Sequence, residues 1–264
     1  MANDITRDEL REEIAFFLGY GRSSDLWDAD QLANVDAVLK SGVRNFYWPP
    51  PLPGIGPHTW SFLRPISQLT TIAEQGDYDL PADFGGLVDG RVYYEENSWL
   101  LQYIQERSIG VINQMRASKI SSGRPFFFAV SPKRSDGTAP QQWQISFWPT
   151  PNFAYTINYQ YQIIPASLDD MNVFPLGTAV HAETMIESCL TVAEQRMGDG
   201  QPAVHAARWP ERLAASIMQD RLTSPTNHGY NGDRSDILRH TYRGRWGFPS
   251  QTLFDGQDFH GEDF

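Results

Sequence analysis

Apolar positions along the chain follow a helical period, then an alternating one, then a helical one again. Near the N-terminus, Leu10, Ile14, Phe17 and Leu18 fall on one face of a helix predicted over residues 6–18. Thr6 followed by Glu9 has the spacing of a capping box, and Gly19 supplies the stop. A second helix is predicted over 28–43, with Leu32, Val35, Val38, Leu39 and Val43 in register, ahead of the three successive prolines in "NFYWPPPLPG". From Trp48 to Pro65 the chain is rich in Pro and Gly, yet Trp60, Phe62 and Leu63 give it side chains with which to dock on a surface.

Beyond Pro65 the period becomes two. The runs "SQLTTIAEQGDYDLP", "GRVYYEEN", "WLLQYIQER", "RPFFFAVSP", "QQWQISFWP" and "AYTINYQYQIIP" predict an antiparallel β domain over about 67–165. In the last run Tyr155, Ile157, Tyr159, Tyr161 and Ile163 share one face, and Thr156, Asn158, Gln160 and Gln162 share the other. Such an aromatic face is either the inside of a sheet or an exposed platform for stacking sugars or bases. The similar residues in "RPFFFAV", "RVYY" and "WQISFW" favour the inside, with the preceding P-T-P as a strand-to-strand corner. One helical stretch interrupts the strands, "ERSIGVINQMRAS", with Ile109, Ile112 and Met115 in register.

The helical period returns over 178–197, with Met185, Cys189, Val192 and Arg196, and over 202–222, with Leu213, Ile217 and Met218 expected to face inward. The fold class is therefore α+β: a helical bundle built from N- and C-terminal helices, with an inserted antiparallel β domain and an extended C-terminal tail. The expected units are 1–66 for the first helices and Pro-rich linker, 67–165 for the β domain, 166–224 for the closing helices and 225–264 for the tail.

Composition narrows what this fold can do. The 264 residues carry a net charge of −11, which argues against a surface that grips nucleic acid by its phosphates. No apolar run reaches the roughly 18 residues of a membrane span. "MANDITRDELREE" has no apolar leader region, so synthesis and folding in a cytoplasm are expected. Cys189 is the single cysteine, which leaves no internal disulfide and no thiolate metal cluster, and it reads as a core residue.

Candidate chemistry is sparse. His181 and Glu183 lie on different helix faces and read as a surface histidine and an exposed carboxylate, and no H-E-x-x-H spacing occurs. "PADFGG" lacks the other kinase elements, and "GGLVDG" lacks the G-K-[ST] that would cradle a phosphate. A serine triad stays open, since its members are distant in a chain, although no serine sits on a strand-to-helix elbow. No catalytic, cofactor-binding or metal-binding residue is assigned, and no cofactor is expected. The tail segregates its charges: Arg234, Arg239, Arg243 and Arg245 precede Asp255, Asp258, Glu262 and Asp263. It cannot bury its own aromatics, so it is expected to be ordered by a partner, with its arginines in protein contacts.

Several stretches together carry a family resemblance. "LREEIAFFLGYGRSSDLWDADQLANVDAVLKSGVRNFYWPP" resembles the opening of the head-to-tail adaptor (connector) proteins of tailed bacteriophages, a helix pair followed by an S-G-x-R-x-F-Y-x-P element. "TWSFLRP", "YDLPADFGGL", "WPTPNFAYTINYQYQIIPASL", "HAETMIESCLTVAEQRMGDG" and "ERLAASIMQDR" are similar to later blocks of the long members with an inserted β domain. The resemblance spans about residues 8–222. It implies a structural virion protein without catalytic residues, forming a homo-oligomeric ring, commonly a dodecamer, beneath the portal of the filled capsid. It also implies a stopper, terminator or nozzle protein on the opposite side, with genomic DNA passing through the lumen. The tail is then expected to dock on the portal through Arg239, Tyr242, Arg243, Arg245, Trp246, Phe248, Phe254 and Phe259. The implied location is the virion neck, reached through assembly in the host cytoplasm. The alternatives are a carbohydrate-binding accessory module exposing the tyrosine face, and a hydrolase with a nucleophile not visible in the sequence.

Overall fold

The computed structural model describes residues 4–95, 103–118, 121–135, 137–177, 179–197 and 203–223. Helix α1 (Arg7–Phe17) starts at the expected capping box: the Thr6 hydroxyl accepts from the Glu9 N–H (3.2 Å), and the Glu9 carboxylate accepts from the Thr6 N–H (2.7 Å). Gly19, at φ +81°, turns the chain out of it. A second capping box, Asp28 with Gln31, opens α2 (Ala29–Tyr47). This helix runs one turn beyond the expected end, to the last residues before the prolines.

Helices α4 (Ala182–Met197) and α5 (Val204–Thr223) close a bundle in which α4 packs against α1, α2 and α5. Its core joins Leu10 and Ile14 of α1, Val35 to Phe46 of α2, Met185 and Cys189 of α4, and Leu213 and Ile217 of α5. The Pro-rich segment docks as expected: Trp60 and Leu63 are fully buried in this core, and the Trp60 indole N–H donates to the Phe46 carbonyl (2.8 Å). Two positions differ from the helical reading. Leu32, in the first turn of α2, and Met218, next to the buried Ile217, are both exposed, because the packed stripe is narrower than the apolar one.

The strands are β1 (Ile66–Thr70), β2 (Asp77–Asp79), β3 (Phe84–Tyr94), β4 (Tyr103–Glu106), β5 (Phe127–Pro132), β6 (Trp143–Trp148) and β7 (Thr156–Ile163). They form one sheet in the order β1-β7-β3-β4-β5-β6-β2. The run read as "SQLTTIAEQGDYDLP" divides into β1 and β2, which lie at opposite edges of the sheet. The pairing is antiparallel except for β4 with β5, which run parallel. A parallel pair needs a crossover, and the short helix α3 (Ile109–Ser118) supplies it, which explains a helix among strands.

Register shifts in β3, beside Gly86 (φ +149°) and Gly90 (φ +58°), bend that long strand, and the sheet curls. The Tyr78 hydroxyl pins the loop between β1 and β2 onto the start of β2, accepting from the Ile72 N–H (2.9 Å) and donating to the Gln75 carbonyl (2.7 Å). Inside the curl lies a second core. Ile157, Tyr159 and Tyr161 are buried in it, with Tyr155 and Ile163 packed at its margin, so the tyrosine face of β7 is the inside of the sheet. The fold is α+β, with helices from both ends of the chain packing together and a mostly antiparallel sheet inserted between them in the sequence.

Candidate functional site

Where the Pro-rich segment meets α5, a buried polar cluster forms. Asp220 accepts hydrogen bonds from the Ser61 hydroxyl (2.6 Å) and the Ser61 N–H (3.1 Å), and lies 2.9 Å from His58 Nε2. Burial pushes the Asp220 carboxyl up, but the hydrogen bonds from His58 and Ser61 outweigh it and hold the group below the usual aspartate range. Behind this lies His181, whose Nδ1 is 3.1 Å from Ser216 Oγ, itself 2.7 Å from Thr184 Oγ1. The Trp60 ring packs between the two imidazoles, 4.9 Å from His58 and 5.1 Å from His181.

The expectation of a surface histidine at 181 is therefore corrected: His181 is buried, because the 3-10 turn Ala179–His181 aims it into the bundle. Glu183 is exposed, as expected.

The residue types of the cluster are those of a serine hydrolase, but their order is not. In a triad the imidazole stands between hydroxyl and carboxylate and takes the hydroxyl proton. Here the carboxylate stands in the middle, so Ser61 is not activated by His58. Cys189 is no nucleophile either, since full burial pushes its thiol up to about 12. Among the described residues, no three His, Cys, Asp or Glu side chains are grouped to hold a metal ion.

A different kind of surface follows β7. Residues 164–177 and 179–181 cross the helical bundle as a strap, pinned largely through their backbone. The Arg7 N–H donates to the Val173 carbonyl (2.8 Å), the Leu176 N–H to the Tyr47 hydroxyl (2.7 Å), and the Ala179 N–H to the Asp4 carboxylate (2.7 Å). Arg7 adds an ion pair to Asp170 (2.7 Å). Burial pushes the Tyr47 phenol up to about 12, so it remains protonated and holds the strap across the physiological pH range. With its backbone engaged, the strap turns Met171 (94% exposed), Phe174 and Val180 (62% each) to solvent. Where the strap leaves β7, it forms with α1 and α2 a groove of about 590 Å³.

The expected portal-contact residues, Arg239, Tyr242, Arg243, Arg245, Trp246, Phe248, Phe254 and Phe259, lie outside the described residues. The polar cluster and the groove were not anticipated. Each joins residues more than a hundred positions apart in the chain, and no spacing in the sequence signals such a meeting.

A helical bundle and a curled sheet, joined by a strap that displays apolar side chains, make up an α+β protein with an exposed apolar surface beside its bundle. The model of the SU10 adaptor protein family matches residues 5–229, and the chain belongs to this family of phage head-to-tail adaptors, a structural and not an enzyme family. Comparison with curated proteins returns no match. The S-G-x-R-x-F-Y-x-P element now has a physical account. Gly42 permits the α2–α4 contact, Ser41 accepts from Arg196 (3.0 Å), Phe46 stacks on Trp60 (4.7 Å between ring centroids), and Tyr47 holds the strap.

Proposed function

We propose that copies of this chain close into a ring of about twelve beneath the portal of a filled capsid and join it to a neck or tail protein on the opposite side. Genomic DNA passes through the lumen without sequence-specific binding, for which a net charge of −11 is suited. The observation that carries this reading is the family match over 5–229, which takes in both the bundle and the inserted sheet. In this reading residues 1–66 and 166–224 build the bundle, 67–165 the inserted domain, and 225–264 dock on the portal. The docking contacts are Arg239, Tyr242, Arg243, Arg245, Trp246, Phe248, Phe254 and Phe259, aromatic and arginine anchors whose repetition around the ring multiplies a modest single affinity. A carbohydrate-binding module would need the tyrosine face exposed, whereas Tyr159 and Tyr161 are buried.

Mass photometry and cryo-electron microscopy of the purified protein, alone and mixed with a portal complex, test the proposal. A ring of about twelve copies seated on the portal, with residues 225–264 visible against it, is the expected result. A persistent monomer that ignores the portal would overturn it.

A further inference from the structure

The groove beside α2 carries charge that the fold itself does not use. Its carboxylates are engaged: Asp36 by both nitrogens of the Arg11 fork (2.7 and 2.9 Å), Asp170 by Arg7 (2.7 Å), and Asp169 by the N–H groups of Met171 and Asn172 (2.8 and 2.7 Å). Lys40 and Arg44, one helical turn apart, are exposed, and among the described residues neither has an ion-pair partner. A further turn on lies Trp48, 43% exposed, and the opposite wall contributes Ile164, 48% exposed. Two cations and an indole in a row, facing the apolar start of the strap at Ile164, Pro165 and Ala166, suit an extended segment that carries both carboxylates and aromatic rings.

The chain contains such a segment. In "TLFDGQDFHGEDF", residues 252–264, Phe254, Phe259 and Phe264 recur five apart, and each adjoins an aspartate, Asp255, Asp258 or Asp263. From Lys40 to Trp48 the helix rises about 12 Å. An extended chain from Asp255 to Phe259 covers about 13 Å. The match sets Asp255 at Lys40 and the Phe259 ring, on the same face of an extended chain, against Trp48, with Asp258 on the other face and drawn by the field of Arg44 rather than by direct register.

We propose that this groove is the docking site of the chain's own C-terminal segment 252–264, which is stored there until a portal takes over Phe254 and Phe259. The release step rests on the portal-docking reading above, whereas the docking itself does not. The occupant is identified by charge complementarity, by spacing and by its availability on every copy.

A benzophenone amino acid placed at position 48 of the full-length chain, and in a second variant at position 164, tests this by photocrosslinking and peptide mapping. Crosslinks from both positions into 252–264 are expected in the portal-free protein. The yield should fall about tenfold in Lys40→Glu/Arg44→Glu, where attraction of the two cations for the acidic segment becomes repulsion, and recover when Asp255→Lys/Asp258→Lys is added. Lys40 and Arg44 are exposed, so circular dichroism should report an unchanged fold in these variants. Crosslinks that map elsewhere, or a yield indifferent to the charge reversals, would overturn the docking and leave the portal reading untouched. Crosslinks that persist unchanged on portal-bound protein would instead overturn the release step and the portal roles of Phe254 and Phe259.

Discussion

Gly42 marks the closest approach of two helices. A Cβ there would lie 2.5 Å from the Cys189 Cα and 2.9 Å from its backbone nitrogen, distances that a rotamer change does not relieve. The same contact brings the Ser188 hydroxyl to the Gly42 carbonyl (2.7 Å). Gly42→Ala is therefore expected to cost about 1–3 kcal/mol by forcing α2 and α4 apart, despite alanine's better helix propensity. Urea unfolding measures it, and Cys189→Ala in the same chain should not restore the loss, because the obstacle is backbone and not the thiol. Tyr159→Ala, which empties the middle of the sheet core, is expected to cost about 3–5 kcal/mol in the same assay. His181 makes a prediction about pH. Burial holds it below the usual histidine value, against the opposing pull of Asp220. A depressed pKa means that the unfolded chain binds the proton more readily. This contribution to stability is complete above about pH 6.5 and is lost as pH falls through the lower folded value. Unfolding midpoints measured from pH 8 to pH 5 should decline below about 6.5, and the decline should be shallower in His181→Asn, which has no ring to protonate.

At the scale of elements, the connections matter more than the helices they join. The Pro-rich segment has no regular backbone ladder of its own, and Asp220 of α5 supplies part of what it lacks by accepting from Ser61 and pairing with His58. Asp220→Ala is expected to cost about 1.5–3 kcal/mol, the range for hydrogen bonds to a charged group. The exposed Asp25→Ala should stay within about 0.5 kcal/mol. Because the Asp220 pKa is lowered on folding, this stabilisation is present above about pH 3.9 and disappears as pH falls below it. Chemical denaturation at pH 7 and pH 3 separates the two states of the carboxylate. Elements with a period were legible in the sequence: the Thr6–Glu9 capping box places polar residues where orphan N–H groups need them, and β7 alternates without a break, whereas the Asp28–Gln31 box of α2 was not anticipated. The strap was not legible, because its hold on the bundle runs through backbone groups and has no side-chain period. Nor was the buried His181, whose neighbours Ser216 and Asp220 come from a helix some 35 residues further on. The parallel β4–β5 pair escaped for the same reason, since alternation reports which face a residue takes and not the direction of its neighbour.

At the scale of the whole molecule, the two cores share no residue, yet the sheet interrupts the bundle at little cost to it. The chain enters the sheet at β1 and leaves it from β7, and these strands are paired, with Ile66 opposite Gln160. The Gln160 side chain also donates to the Arg64 carbonyl at the entry (2.7 Å). The two ends of the insertion are thus neighbours, so the bundle sees a short gap where some hundred residues have been placed. Both cores end by Ile217, and the family match ends at 229. A chain truncated after residue 229 should therefore fold. If segment 252–264 contributes about 1 kcal/mol from the groove, its loss lowers Tm by no more than about 2–4 °C for a chain of this size. The same truncation removes every residue assigned to portal contact and should abolish cosedimentation with the portal. Differential scanning calorimetry and cosedimentation on one preparation test both halves. A truncated chain that still binds the portal would move the contact from the tail to the described fold, and the exposed apolar strap at Met171, Phe174 and Val180 would be the first surface to substitute.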